Sequence, residues 1–209
     1  AAYPVLQHSF YQVYVVYDHP NSVLTPSVSY QPGGSQLLLK TLYGEQPGTN
    51  IVSELIPEWQ LYNTYTVPAG MQEGINRKFP SATSRHKYSL AVKKINAAGE
   101  AGNFLIDFGT DDFTLLAAKE SRLLLAQSFT YDTPEDVLYH LLKTCDQFSF
   151  SQKEVDIQLS GLIDEQSALY KELYQYFLHI SFRKATWDTG DEYPAQFFTL
   201  LNDLAQCAS

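Results

Sequence analysis

Hydrophobic and polar positions sort most cleanly after residue 100. Phe104, Leu105, Ile106 and Phe108 make an apolar run interrupted by Asp107 alone, and two further apolar runs follow at 113–118 and 123–129. Runs this short, separated by an acidic turn after Gly109 and by the polar turn Lys119-Glu120-Ser121-Arg122, predict three strands at about 103–108, 112–118 and 123–129. Thr133-Pro134-Glu135-Asp136 then reads as a helix start, with a capping threonine, a proline at the first helical position and an acid at the capping-box position. Val137, Leu138, Leu141, Leu142, Cys145 and Phe148 recur at helical spacing behind it, so one face of that helix needs a sheet beneath it. A short strand at 155–159, a turn at Ser160-Gly161, and a helix with Leu169, Tyr170, Leu173, Tyr174, Phe177 and Leu178 on one stripe come next. A last strand at 180–182, a loop at 183–193 and a helix opened by Pro194 complete the order β-β-β-α-β-α-β-α. Such an order implies a mixed sheet whose first three strands are antiparallel, with right-handed crossovers and helices on both faces.

The first half is less regular. Residues 11–17 alternate like a strand, 18–22 read as a turn and 23–30 as a returning strand, which predicts a hairpin. A short helix at 35–42, a polar loop at 44–50, a strand at 61–67 and a helix from Pro68 to about Lys78, stopped by Pro80, follow. Residues 85–95 fit either type. The change of pattern divides the chain into 1–100 and 101–209.

Composition removes several function classes. Fourteen basic against 23 acidic residues give a formal charge of -9, and such a field repels phosphate backbones and anionic lipid, so no nucleic acid and no membrane insertion are expected. Apolar runs are of strand length, far below the roughly 20 residues a spanning helix needs. The two cysteines, Cys145 and Cys207, fall inside helical patterns and are expected as reduced core thiols in a cytoplasmic protein. The five histidines show no HExxH spacing, and no GxSxG elbow is present. The chain opens Ala-Ala-Tyr-Pro and its one methionine is Met71, which leads us to expect residues ahead of Ala1 in the native protein.

Segments between Phe104 and Phe182 resemble the actin-like ATPases, built from two ribonuclease-H-like units with nucleotide in the cleft between them. The resemblance implies an α/β fold with an incomplete unit at 1–100 and a second at 101–209. Leu105-Ile106-Asp107-Phe108-Gly109-Thr110 is similar to the family's second phosphate motif, in which the turn at Gly109 and Thr110 would present N–H groups to phosphate and Asp107 would position Mg²⁺. Asp111 and Asp112 depart from it, since the family continues with Gly and Thr. At roughly 4 Å a like-charge contact costs about 1 kcal/mol even in water. Ile157-Gln158-Leu159-Ser160-Gly161-Leu162-Ile163 is similar to the adenosine motif, with Ser160 and Gly161 at the base and Leu162 where a second glycine is expected. A closer resemblance is to domain-of-unknown-function family 3822 of the Bacteroidota, with a pilus-assembly type of actin-like fold. It is carried by the run 127–139 (QSFTYDTPEDVLY), by Leu159-Ser160-Gly161, by Ser167-Ala168-Leu169-Tyr170 and by Leu173-Tyr174-Gln175-Tyr176. In the first half it is carried by Val23-Leu24-Thr25-Pro26 and 79–86. Members carry an opening hairpin, which agrees with a missing beginning.

Each residue has a plainer explanation as well. Asp107 is either a metal or phosphate residue or a strand-end acid bonded to its own turn, and Gly109 can simply supply a positive φ. Asp107, Asp111 and Asp112 could together hold two metals in a ribonuclease-H-like nuclease, although that chemistry needs further carboxylates and basic groups. The fifteen tyrosines serve as core packing or as interface anchors. The function expected is that of a non-catalytic protein-binding or assembly component with degenerate nucleotide motifs and no required cofactor. Its protein partner, by charge complementarity, would carry a basic patch. An ATP- and Mg²⁺-binding ATPase is the alternative, and a metal-dependent nuclease a third.

Overall fold

The computed structural model describes residues 3–188 and 193–207. The second half forms as its pattern demands. Strands β6 (Asn103–Phe108), β7 (Asp112–Lys119) and β8 (Arg122–Thr130) pair antiparallel in succession, while β9 (Asp156–Gly161) runs parallel to β6 and β10 (His179–Phe182) parallel to β9. The resulting five-stranded sheet has the order β10-β9-β6-β7-β8. Ser160 and Gly161 are the last residues of β9 and not a separate turn.

Both faces of this sheet are covered. Phe104, Ile106 and Phe108 of β6 join Phe113 and Leu115 of β7 under helices α4 (Pro134–Phe148) and α5 (Ala168–Tyr176), whose Val137, Leu141 and Leu173 are fully buried. The threonine cap of α4 is in place, with Thr133 and Asp136 bonding each other's backbone N–H. On the opposite face, Leu105, Leu116 and Ala118 meet Val92 of a helix that belongs to the first half, α3 (Lys87–Lys94), and Ile95, the residue that ends it, together with Ile56. Helix α6 (Thr199–Gln206) lies beside α3 and is tied to the end of β10 by Arg183, which donates to both carboxylate oxygens of Asp203 at 2.7–2.8 Å. Of the two thiols, Cys145 is buried as expected, whereas Cys207 is exposed because it falls just beyond the last turn of α6; both are free.

The first half departs from expectation. Strands β1 (Tyr14–Tyr17) and β2 (Ser22–Pro26) do not form the expected hairpin: β1 pairs parallel with β5 (Thr83–His86), and β2 enters a separate antiparallel sheet of order β2-β4-β3. Residues 18–21 are a passage from one sheet to the other. Strand β4 (Leu61–Pro68) lies where the alternation put it, helices α1 (Pro32–Tyr43) and α2 (Ala69–Lys78) lie near theirs, and β3 (Thr49–Ile56) takes up the end of the stretch read as a loop. Residues 85–95 divide between the end of β5 and α3.

Hydrogen bonds do much of the joining here. Ser22 Oγ bonds Asn63 Oδ1, Asn63 Nδ2 donates to Ser89 Oγ at 2.8 Å, and Ser89 Oγ bonds Glu54 Oε1, which also accepts the His86 N–H at 3.0 Å. Burial pushes the Glu54 carboxyl above the usual carboxylate range, against the pull of these donors. His86 is buried with Nδ1 accepting from the Tyr88 N–H and Nε2 set against the His19 carbonyl at 2.9 Å, so the ring is neutral and protonated on Nε2. Desolvation holds its pKa down to about 3.

Candidate functional site

Parallel pairs bring the carboxyl ends of their strands together, and ligand crevices of α/β sheets form at such ends. Two of the three parallel pairs bring their ends to one place here. Tyr17 of β1 lies opposite His86 of β5, so the next residues, Asp18 and Lys87, emerge side by side. Asp107 and Phe108 of β6 lie opposite Ser160 and Gly161 of β9. The two sets of ends face each other across a cleft of about 560 Å³, which Gly109, Thr110, Asp111, Asp112, Leu162 and Leu200 also line. All five residues singled out by resemblance (Asp107, Gly109, Thr110, Ser160 and Gly161) therefore fall in or beside one cleft.

Asp107 is half-buried and accepts a hydrogen bond from Ser160 Oγ at 2.7 Å; its partner is the neighbouring strand and not its own turn. Desolvation is the main influence on it and raises its pKa, while the Ser160 hydroxyl lowers it. Gly161 sits at φ +78°, with the Phe108 backbone so close that any Cβ would collide with its carbonyl oxygen. Glycine is required there on both counts. Gly109 is different: it does not adopt a positive φ, and its reason for being glycine is the Asp112 carboxylate lying against it. The Gly109 N–H is already given to the Asp112 carbonyl at 2.8 Å, closing the turn on itself. Thr110 and Asp111 are exposed at the cleft wall.

One electrostatic feature of the cleft was not legible in the motifs. Lys87, at the first turn of α3, is only 9% exposed and reaches across the cleft, with Nζ 2.6 Å from Asp18 of the first half and 3.9 Å from Asp112 of the second. Asp107 and Arg183 share a further pocket with Lys87. In sequence Asp18 reads as a turn residue and Lys87 lies in the stretch 85–95 that fits either type, so only the parallel register of β1 and β5 reveals the pair. Among the described residues no three histidine, cysteine or acidic side chains converge as a metal site. Asp107, Asp111 and Asp112 thus do not form the cluster a two-metal nuclease would need. No helix among the described residues is long and apolar enough to cross a membrane.

The chain is similar to two solved structures at low identity. A Bacteroides thetaiotaomicron VPI-5482 protein with actin-like ATPase fold and unknown function superposes with a TM-score of 0.81 at 17% identity, covering 97% of this chain and 77% of that one. A chain of the PilM-PilN type IV pilus biogenesis complex superposes with a TM-score of 0.55 at 11% identity, covering 95% of this chain and 80% of that one. Together they show the actin-like ATPase fold. No curated protein sequence matches. The family model described as "Protein of unknown function (DUF3822)" matches residues 1–180, more than four-fifths of the length, and the chain belongs to that family.

Proposed function

We propose that this chain is a non-catalytic, protein-binding assembly component of the cytoplasm, in which the cleft of an actin-like fold is held together by an internal cation. One observation carries the reading: Lys87 bridges Asp18 and Asp112 across the cleft, so the charge that would meet a phosphate is already neutralised from within. A nucleotide would have to break that bridge and then face Asp111 and Asp112. It would also meet Leu162, half-exposed where the adenosine motif expects glycine. The Gly109 N–H, committed to Asp112, is not available to a phosphate oxygen. That a structurally similar chain belongs to a complex of pilus biogenesis supports an assembly role, and the net charge of -9 favours a partner with a basic patch over nucleic acid. We also divide the chain near residue 100 into an incomplete ribonuclease-H-like unit and a second unit of residues 101–209, a division supported by the strands before and after Asn103 belonging to different sheets.

The second reading is an ATP- and Mg²⁺-binding protein. Asp107, Ser160 and Gly161 favour it, because they stand together at the carboxyl ends of β6 and β9 beside a cleft of about 560 Å³. Were a nucleotide to bind, Asp107 and Thr110 would lie nearest its metal and phosphates. Thermal denaturation with and without Mg-ATP separates the two. A ligand at about 100 times its dissociation constant adds roughly 2.7 kcal/mol of stability. We expect no rise in melting temperature at millimolar Mg-ATP; a clear rise that Asp107→Asn abolishes establishes the ATP-binding reading instead.

A further inference from the structure

A second hollow, of about 750 Å³, lies away from the cleft between two sheet edges. One wall is β2, the outer strand of the three-stranded sheet, and the other is β8, the outer strand of the five-stranded sheet. Each pairs on one side only, so both turn unpaired backbone groups outward, the feature by which sheets recruit a further strand. The β8 edge carries a bulge at Leu124, where Ala117 faces Leu125 and Ala118 faces Leu123, so regular pairing is open from Leu125 onward. On the β2 side the Ser22 carbonyl is taken by Tyr43 Oη at 3.0 Å, leaving the edge beyond it. The floor is apolar, since Leu24, Leu123 and Ala126 pack together on the cluster beneath. Its rim carries Val28, 90% exposed, and Leu42, 63% exposed, which no element among the described residues covers.

We propose that this groove binds an extended, apolar segment of a partner protein, which adds as a strand beside β8 and is anchored at one end by a carboxylate on Arg122. The proposal rests on the protein-binding reading above and gives that reading a surface and a ligand chemistry. Strand addition supplies main-chain hydrogen bonds for affinity and pockets for alternate side chains for specificity. Arg122 specifies the charge: among the described residues it is the one charged side chain lining the groove, and none of them forms an ion pair with it. In a molecule of net charge -9 it is a local reversal of field, and a carboxylate is its natural complement.

The test is selection of a displayed library of random peptides against the intact protein, followed by binding measurements on a synthetic peptide of the selected sequence. The selected sequences are expected to alternate apolar residues and to carry an acid toward one end. Binding should weaken about tenfold or more in Val28→Asp and in Leu42→Asp, whose exposed positions leave the fold intact. Arg122→Glu should weaken it as well, and exchanging the peptide's acid for lysine should restore it. Methylating alternate backbone nitrogens of the peptide should abolish binding. Absence of selected sequences, indifference to the rim substitutions, or equal binding of the methylated peptide overturns the proposal. So does a concentration-dependent dimer in sedimentation that Leu42→Asp dissociates, which would make a second copy the occupant. None of these results bears on the Mg-ATP measurement, so the two readings fail separately.

Discussion

The five-stranded and the three-stranded sheets of this molecule are held together by different physics. The five-stranded sheet is an apolar sandwich: Phe104, Ile106, Phe113 and Leu115 are wholly buried on one face, Leu105 and Leu116 on the other, and helices close both sides. The three-stranded sheet also has an apolar cluster, in which its Tyr65 and Val67 meet Tyr17 of β1, but a chain of hydrogen bonds runs beside it from Ser22 through Asn63 and Ser89 to Glu54 and the His86 N–H. Apolar burial is nondirectional and tolerates repacking, whereas a buried polar chain fixes one geometry and penalises any missing member. The second half is therefore expected to resist small changes of side-chain shape and the first half to resist none in its polar chain.

Three substitutions test that contrast. The largest loss should come from Phe113→Ala, which removes a fully buried ring in contact with Phe108, Phe129 and Tyr131; denaturant unfolding should show about 3–5 kcal/mol lost. A loss under about 1 kcal/mol would mean that the sandwich is not the main source of stability. Asn63→Ala should cost less, about 1–3 kcal/mol, because it leaves Ser22 Oγ without its partner in a dry site and reduces Ser89 Oγ to its bond with Glu54. Its signature is local: amide exchange should quicken in β2, β3 and β4 while β6 and β7 keep their protection. Equal quickening in both sheets would erase the distinction drawn here.

The pH dependence of His86 gives the smallest effect per step. Its folded pKa, about 3, lies below the usual value near 6.5, so the unfolded chain takes up the proton first. The stability it contributes is full above pH 6.5 and declines as pH falls from there toward 3, at up to about 1.4 kcal/mol per pH unit. Glu54, raised by burial, acts in the opposite sense, so the clean measurement is the difference from His86→Gln across that range. A ring that titrates near 6.5 by NMR in the folded protein would show that His86 is not desolvated.

The same contrast explains what could be read from sequence. Strands β6, β7 and β8 came within two residues of their expected ends because continuous apolar runs between turn residues have few other solutions. Strand β3 was hidden because its phase is inverted: Glu54 points inward to Ser89 and the His86 backbone, while Ile51 and Leu55 are exposed, so polarity pointed to the wrong face. The false hairpin has a similar origin. Asp18-His19-Pro20-Asn21 carries turn residues, but β1 finds its partner in β5, some seventy positions away, and no local signal reports parallel pairing at that distance. At the cleft, Asp107, Gly109, Thr110, Ser160 and Gly161 were singled out by the resemblance to the actin-like ATPases, which the strand periodicity alone would not have supplied. Lys87 and Asp18 were missed because their roles exist only once β1 and β5 lie side by side.

Helix α3 belongs by sequence to the first half, yet its Val92 and the capping Ile95 just after it complete the second half's core against Leu105, Leu116 and Ala118. Severing the chain near residue 100 would leave those five side chains facing water on one fragment or the other. The two halves consequently lend each other hydrophobic surface, and heat should dissolve them in a single cooperative transition. Any widening of the cleft must proceed by α3 sliding over the sheet, since its lifting away would open the core to solvent.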